Sequence, residues 1–205
     1  DLKILVDCSG SMNGDSIHSA KSALHKVLDQ LKKGDRFSYS KFGNNVCHSF
    51  KSLKPVNTIN LAAAAAMISM TEADMGGTEF EEALKSTFKL PGAEKKSNVL
   101  LITDGEIWDI DDIVKAAKNS GNRIFAIGVG TAPGETLLQK LAEETGGACE
   151  LVSPNEDIET VIVRMFNRIH SEKISDISIN WGSEPEWVTS LPSSIYDGDT
   201  IHVFA

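Results

Sequence analysis

The 205-residue sequence is short of several things, and each shortage removes a class of protein. It has three cysteines, Cys8, Cys47 and Cys149, with no Cys-x-x-Cys spacing among them. An odd, unpatterned set builds neither a disulfide framework nor a zinc knuckle, and it leans toward a reducing compartment. The longest apolar run, Leu61 to Ile68, is alanine-rich. It falls far below the roughly 20 residues that cross a bilayer, so no membrane insertion is expected of this segment. Basic charge is also scarce, with 20 Lys and Arg against 29 Asp and Glu, a net charge of −9. That balance repels phosphate backbones, so nucleic acid is not an expected partner, whereas cations are well suited. No internal repeat, low-complexity linker or His-Glu-x-x-His pair is present. The glycine-rich run Gly128 to Gly134 misses the dinucleotide spacing and lacks the phosphate-loop lysine, which leaves it as a strand-to-helix turn.

What is present is the composition of an ordinary soluble globular protein, 41% hydrophobic and 24% charged. The length suits one domain, or one domain with an appendage. Asp1 stands almost inside the first expected strand, so the segment is expected to belong to a longer protein, and the absence of a targeting sequence says little.

Apolar patterning predicts strands at Leu2–Val6, Arg36–Phe42, Val46–Phe50, Asn98–Ile102, Arg123–Val129 and Ala148–Val152. The second and third pair through a turn at Gly43-Asn44-Asn45. Helical spacing predicts helices over Asp15–Lys33, Asn60–Ser69, Glu79–Lys89, Ile110–Ser120, Glu135–Thr145 and Asn155–His170. Strands alternating with helices imply an α/β fold, with a mostly parallel sheet covered on both faces. Near-continuous apolar runs such as VLLI and IFAIGV suit strands buried on both sides. After about Glu172 the pattern changes. Ile174–Trp181 and Thr200–Phe204 alternate like strands, so residues 172–205 are expected to form a β-rich extension, part of a truncated second domain, beyond a domain of residues 1–171. Trp181 and Trp187 are expected to pack within it. Met67, Met70 and Met75 read as core or loop filler, and His18 and His25 as solvated.

In an open parallel sheet, ligands bind beyond the carboxyl ends of the strands near the reversal of strand order. Asp7, Ser9 and Ser11 leave the first strand, Asp104 leaves Asn98–Ile102, and Thr78 sits on a loop before a helix. If those two strands are neighbours, all five side chains meet above one crevice. Three hydroxyls and two carboxylates form an all-oxygen set suited to a hard divalent ion such as Mg²⁺, with Mn²⁺ or Ca²⁺ as alternatives. The set contains no histidine or cysteine, which argues against zinc. Each residue also has a plainer reading. Asp-x-Ser-x-Ser is a solvated turn in many proteins, and Asp104 precedes a turn glycine. Thr78-Glu79-Phe80-Glu81 reads as a capping box, with Thr78 capping the following helix and Glu81 reaching back. Only the combination favours a cation site.

Asp7-Cys8-Ser9-Gly10-Ser11, Thr78 and Thr103-Asp104-Gly105 resemble, in order and separation, the metal-ion-dependent adhesion site (MIDAS) of von Willebrand factor type A domains. The resemblance covers roughly residues 1–170. It implies a Rossmann-like, doubly wound sheet with one short antiparallel edge strand. It also implies that Ser9, Ser11 and Thr78 ligate the ion through hydroxyls, and that Asp7 and Asp104 act largely through bound waters. The implied function is non-enzymatic: an open position on the ion takes an Asp or Glu carboxylate from a protein partner. Pro185-Glu186-Trp187, Leu191-Pro192 and Asp197-Gly198-Asp199-Thr200 more loosely resemble the segment that follows this domain in inter-α-trypsin-inhibitor heavy-chain-like proteins, including bacterial ones. The competing reading is a Mg²⁺-dependent phosphatase or phosphotransferase with Asp7 as nucleophile. That chemistry normally wants a second acid where Ser9 stands, and a phosphate-directed lysine.

Overall fold

The computed structural model describes residues 1–92, 96–105, 110–130, 134–153, 156–189, 191, 194–197 and 199–205. Its main sheet runs in the order β3-β2-β1-β5-β6-β7, with β4 also paired to β2. The strands are β1 (Leu2–Asp7), β2 (Arg36–Phe42), β3 (Val46–His48), β4 (Lys54–Pro55), β5 (Asn98–Thr103), β6 (Arg123–Val129) and β7 (Ala148–Val152). Pairing is parallel from β2 through β7, while β3 and β4 run antiparallel to β2 at the edge. Proline lacks a backbone donor, so Pro55 is tolerated on β4 only because that strand is two residues at an edge. β4 has no counterpart among the expected strands.

Period-2 alternation assigns the faces of β1. Leu2, Ile4, Val6 and Cys8 face a core that includes side chains of α1 (Asp15–Gln30), α2 (Thr58–Ser69) and α6 (Ile158–His170). Leu5 faces the other core, with side chains of α3 (Phe80–Phe88), α4 (Ile110–Ser120) and α5 (Glu135–Thr145). Leu5, Leu100, Leu101 and Ile102 are completely buried, and removing each such side chain from water contributes about 1.5–3 kcal/mol. This is the Rossmann-like α/β architecture expected.

The chain leaves β1 for β2 on one side and later returns to β5 on the other, so the order reverses between β1 and β5. Val6 sits beside Ile102 in the register, so both strands end at the same edge. Helices cover both faces, and the crevice lies where their loops part above that edge.

Several local expectations change. α1 stops at Gln30, because Leu31 turns extended with ψ 136°. β3 stops at His48, and Phe50 instead sets its ring edge-on to Phe37 at 6.0 Å. α2 begins two residues early, at Thr58, because the Asn57 side chain caps it by accepting from Asn60 N. α6 is described from Ile158, with Asp157 as its cap; residue 155 lies outside the described residues.

The tail departs further. Its strands are β8 (Lys173–Ser175) and β9 (Ser194–Tyr196), paired antiparallel, rather than Ile174–Trp181 and Thr200–Phe204. Asp176 adopts φ 59°, a left-handed conformation that ends β8 immediately. Trp181 and Trp187 are exposed rather than packed, and Tyr196 is the tail's buried aromatic, its ring 6.2 Å from that of Phe125. Arg168 of α6 pairs with Asp199 at 2.7 Å, which ties the tail to the last helix of the main body.

Candidate metal centre

β1 delivers Asp7 to the upper edge of the sheet, fully buried. Its Oδ1 accepts from Ser9 N at 2.9 Å and its Oδ2 from Thr103 Oγ1, the last residue of β5, at 2.5 Å. Alternation then separates the next residues. Cys8 turns into the core on the α1 side, with its amide donating to Phe42 O at 2.7 Å. Ser9 Oγ lies 3.1 Å from Ser11 Oγ, and Ser11 Oγ donates to Asp104 Oδ1 at 2.8 Å. A connected polar chain therefore runs Asp7–Ser9–Ser11–Asp104, drawn from two adjacent strand ends. Asp7 and Ser9 are buried, Asp104 is half-buried and Ser11 is exposed, so the chain opens to solvent at its outer end.

Thr78 approaches from a third direction. A Cβ placed on Gly105 would stand 3.2 Å from Thr78 Cγ2 and 3.5 Å from Asp7 Oδ2. Glycine at that position lets the loop bearing Thr78 and the carboxylate of Asp7 close over the same spot. The capping-box reading of Thr78 fails. α3 begins at Phe80 with Glu79 at the cap position and no side-chain cap bond, and Glu81 pairs with Lys85 instead of reaching back. The Thr78 hydroxyl is thus free of the role that competed for it, and it makes no hydrogen bond among the described residues. Ser9, which caps a short 3₁₀ turn at Gly10–Met12, likewise spends no side-chain bond on capping.

The electrostatics of the site are lopsided. Burial pushes the Asp7 carboxyl above its ordinary range, opposed by the hydrogen bonds from Thr103 and Ser9. Burial also pushes Asp104 up, and the charge of Asp7 adds to the rise against the Ser11 bond. Among the described residues no Lys, Arg or His makes an ion pair with either acid. Two acids with hydroxyl and amide donors but no cation are an incompletely neutralised pair. Among the described residues no three His, Cys, Asp or Glu side chains gather as a metal group. The donors are oxygens led by hydroxyls, a set that fits a hard divalent ion.

Thr103 stands in the Thr103-Asp104-Gly105 motif, but its bond to Asp7 was not foreseen. The available signal was a threonine closing an otherwise apolar run immediately before Asp104. The run Gly128 to Gly134 does connect β6 to α5, though residues 131–133 lie outside the described residues, and Gly134 N donates to Gly105 O at 3.1 Å. His18 and His25 bond Gly14 O and Ser69 Oγ, and among the described residues neither bonds any of the five site residues.

Residues 1–151 match the family model of the von Willebrand factor type A domain. The chain belongs to that family. A von Willebrand factor A domain-containing protein of Dictyostelium discoideum is 28% identical over 207 residues, covering 98% of this chain and 25% of its own length. The human von Willebrand factor A domain-containing protein 5B1 is 28% identical over 180 residues, covering 86% of this chain and 15% of its own. The chain thus spans a quarter or less of the length of these relatives. Among solved structures, the von Willebrand factor type A protein from Catenulispora acidiphila aligns with a TM-score of 0.69 at 22% identity, covering 82% of this chain and 41% of that one. Proximal thread matrix protein 1 from the mussel byssus, with a zinc-occupied MIDAS motif, aligns at 0.64 and 20%, covering 80% and 45%. Domains of this family are commonly metal-dependent protein-interaction modules and generally not enzymes.

Proposed function

We propose that this von Willebrand factor type A domain is a metal-ion-dependent protein-binding module. Asp7, Ser9, Ser11, Thr78 and Asp104 would hold a divalent ion, Mg²⁺ first, with Mn²⁺ or Ca²⁺ as alternatives. When bound, that ion supplies an electrophilic position for an Asp or Glu carboxylate from a protein partner. In this reading residues 1–171 are the binding domain and residues 172–205 an extension of it.

The observation that carries the reading is the polar chain from Asp7 through Ser9 and Ser11 to Asp104, whose two acids pair with no cationic side chain among the described residues. The hydroxyls contribute oxygen donors without adding negative charge, which keeps a bound cation electrophilic. Asp7 orients the cluster from below, because both of its oxygens are engaged by Ser9 N and Thr103. The same engagement and complete burial make Asp7 a poor nucleophile, so the geometry gives phosphoryl transfer no support. Among the described residues no helix is long and apolar enough to cross a membrane.

The test is capture of a partner on the immobilised chain in Mg²⁺ and in EDTA, with Ser9→Ala as control. Capture is expected only in Mg²⁺ and only with Ser9 present. Binding that survives both EDTA and Asp7→Ala sinks the mechanism. Turnover of a phosphate ester that vanishes in Asp7→Asn would favour the enzymatic reading instead.

A further inference from the structure

Thr78 differs from the other four site residues in leaving no strand end. It lies on the stretch of residues 70–79 between α2 and α3, which carries no regular element of its own. A hydroxyl on such a loop is useful to a cation only if something sets its position.

The turn between β2 and β3 does so at three points. Gly77 N donates to Asn44 Oδ1 at 2.7 Å, Asn44 N donates to Met75 O at 2.7 Å, and Glu79 N donates to Gly43 O at 2.8 Å. Two consecutive turn residues thus grip the chain on both sides of Thr78. The same loop is tied to the end of β1 by Met75 N to Cys8 O at 3.0 Å and Gly10 N to Gly76 O at 2.9 Å. Turn and loop interlock closely. A Cβ on Gly43 would meet Met75 Cβ at 2.4 Å, and one on Gly77 would meet Asn44 Oδ1 at 2.7 Å. Gly76 adopts φ 77°, which L side chains rarely take up.

Among the described residues the Asn44 side chain makes one hydrogen bond, the one it accepts from Gly77 N. The turn is already closed by Gly43 N to Asn45 O at 3.0 Å, a backbone bond that any side chain permits. Asn44 is exposed, and its amide group lies close against the backbone of Gly76 and Gly77, where a Cβ on either glycine would run into it. Its amide oxygen is spent on the residue next to Thr78.

We propose that Asn44 is a positioning residue for the cation site, its side-chain oxygen setting where Thr78 presents its hydroxyl beside Asp7 and Asp104. The inference rests on the metal-binding reading above, and the signature is metal affinity that changes without a change in the fold.

Titration calorimetry with Mn²⁺ on the whole chain tests it, alongside melting in EDTA and hydrogen exchange of the Gly77 amide. Asn44→Ala is expected to weaken Mn²⁺ binding by about tenfold or more. It should also speed Gly77 exchange and leave the EDTA melting temperature unchanged. Asn44→Asp keeps the acceptor and should recover most of the affinity, while Asn45→Ala should behave as wild type. Wild-type Mn²⁺ affinity in Asn44→Ala, with Asp7→Ala abolishing binding, overturns the role of Asn44 and spares the metal site. A wild-type chain that binds no Mn²⁺ overturns both. A fall in EDTA melting temperature that accounts for the affinity loss makes Asn44 merely structural and also overturns the inference. Should Asn44→Ala fail to fold, Asn44→Gln decides: it displaces the oxygen by one methylene, and unaltered affinity there counts against positioning.

Discussion

β1 carries a buried charge near each end, on the same face, with Leu5 between them. Near the lower end Lys3 is 3% exposed and donates to Phe88 O at 2.9 Å and to Asn122 Oδ1 at 3.2 Å. At the upper end Asp7 is fully buried and accepts from Ser9 N and Thr103 Oγ1. Desolvation works against both charges, lowering the Lys3 ammonium to about 8 and raising the Asp7 carboxyl. The surroundings differ. Lys3 meets the carboxyl end of α3, where unsatisfied carbonyls favour a cation, and an amide oxygen held in place by Ser120. Two of its three N–H groups are taken up by oxygens inside the fold. Asp7 meets neutral donors and a second acid, Asp104, that adds charge of the same sign. A buried charge completed by protein groups is part of the scaffold, whereas one accompanied by its like and opening to solvent points to a ligand from outside.

If that contrast is sound, the two ends come apart under mutation. The largest effect is expected of Asp7→Asn, which should weaken Mg²⁺ or Mn²⁺ binding by more than about 100-fold, because the charge of the donor set governs affinity. The metal-free protein should melt no lower than wild type, since the amide oxygen still accepts from Ser9 N and no charge is left desolvated. Calorimetry and melting in EDTA check the two halves; a large loss of metal-free stability would make Asp7 another scaffold residue.

Lys3→Met should do the converse. It leaves Phe88 O and Asn122 Oδ1 without their donor, and Asn122 cannot swing away while Ser120 holds its Nδ2. A loss of about 1–3 kcal/mol is expected in urea unfolding, with metal affinity unaltered. A neutral or stabilising result would mean that removing the buried charge outweighs the orphaned acceptors.

The smallest effect is in pH dependence. Lys3 falls from an ordinary 10.5 to about 8 in the folded chain. Between those values the unfolded chain binds the proton and the folded chain does not, so this lysine makes stability rise with pH from about 8 to 10.5. Below about 8 both states are protonated and its penalty is constant. Denaturation midpoints of wild type and Lys3→Met across this range should differ in slope, and equal slopes would remove Lys3 as the cause.

Much of this was readable from short stretches. The apolar runs Leu2–Val6, Asn98–Ile102 and Arg123–Val129 specify strands buried on both faces, because side chains alternate about a sheet however the strands are later ordered. α4, α5 and β7 fall on the expected residues for the same local reason. The alternation of Asp7, Ser9 and Ser11 already aims three polar groups one way and Cys8 the other. The tail holds the expected β-rich element in β8 and β9, but its strand bounds were misplaced, because an alternating pattern marks a strand only where a partner is present and the φ of Asp176 breaks the pattern at once.

The sequence by itself therefore determined the α/β class, the helical and strand faces, and the chemistry available at each strand end, all properties of residues within one or two turns of one another. The tertiary structure alone decided that β1 and β5 are neighbours, which joins Ser11 to Asp104 across 93 positions. It decided that Thr78 is not a helix cap, because α3 starts two residues later. It also decided that Lys3 and Asp7, two charges on one strand, meet opposite surroundings. Local pattern dictates which way a side chain faces. What it faces depends on strand order and helix ends, and these are settled only when distant segments share one core.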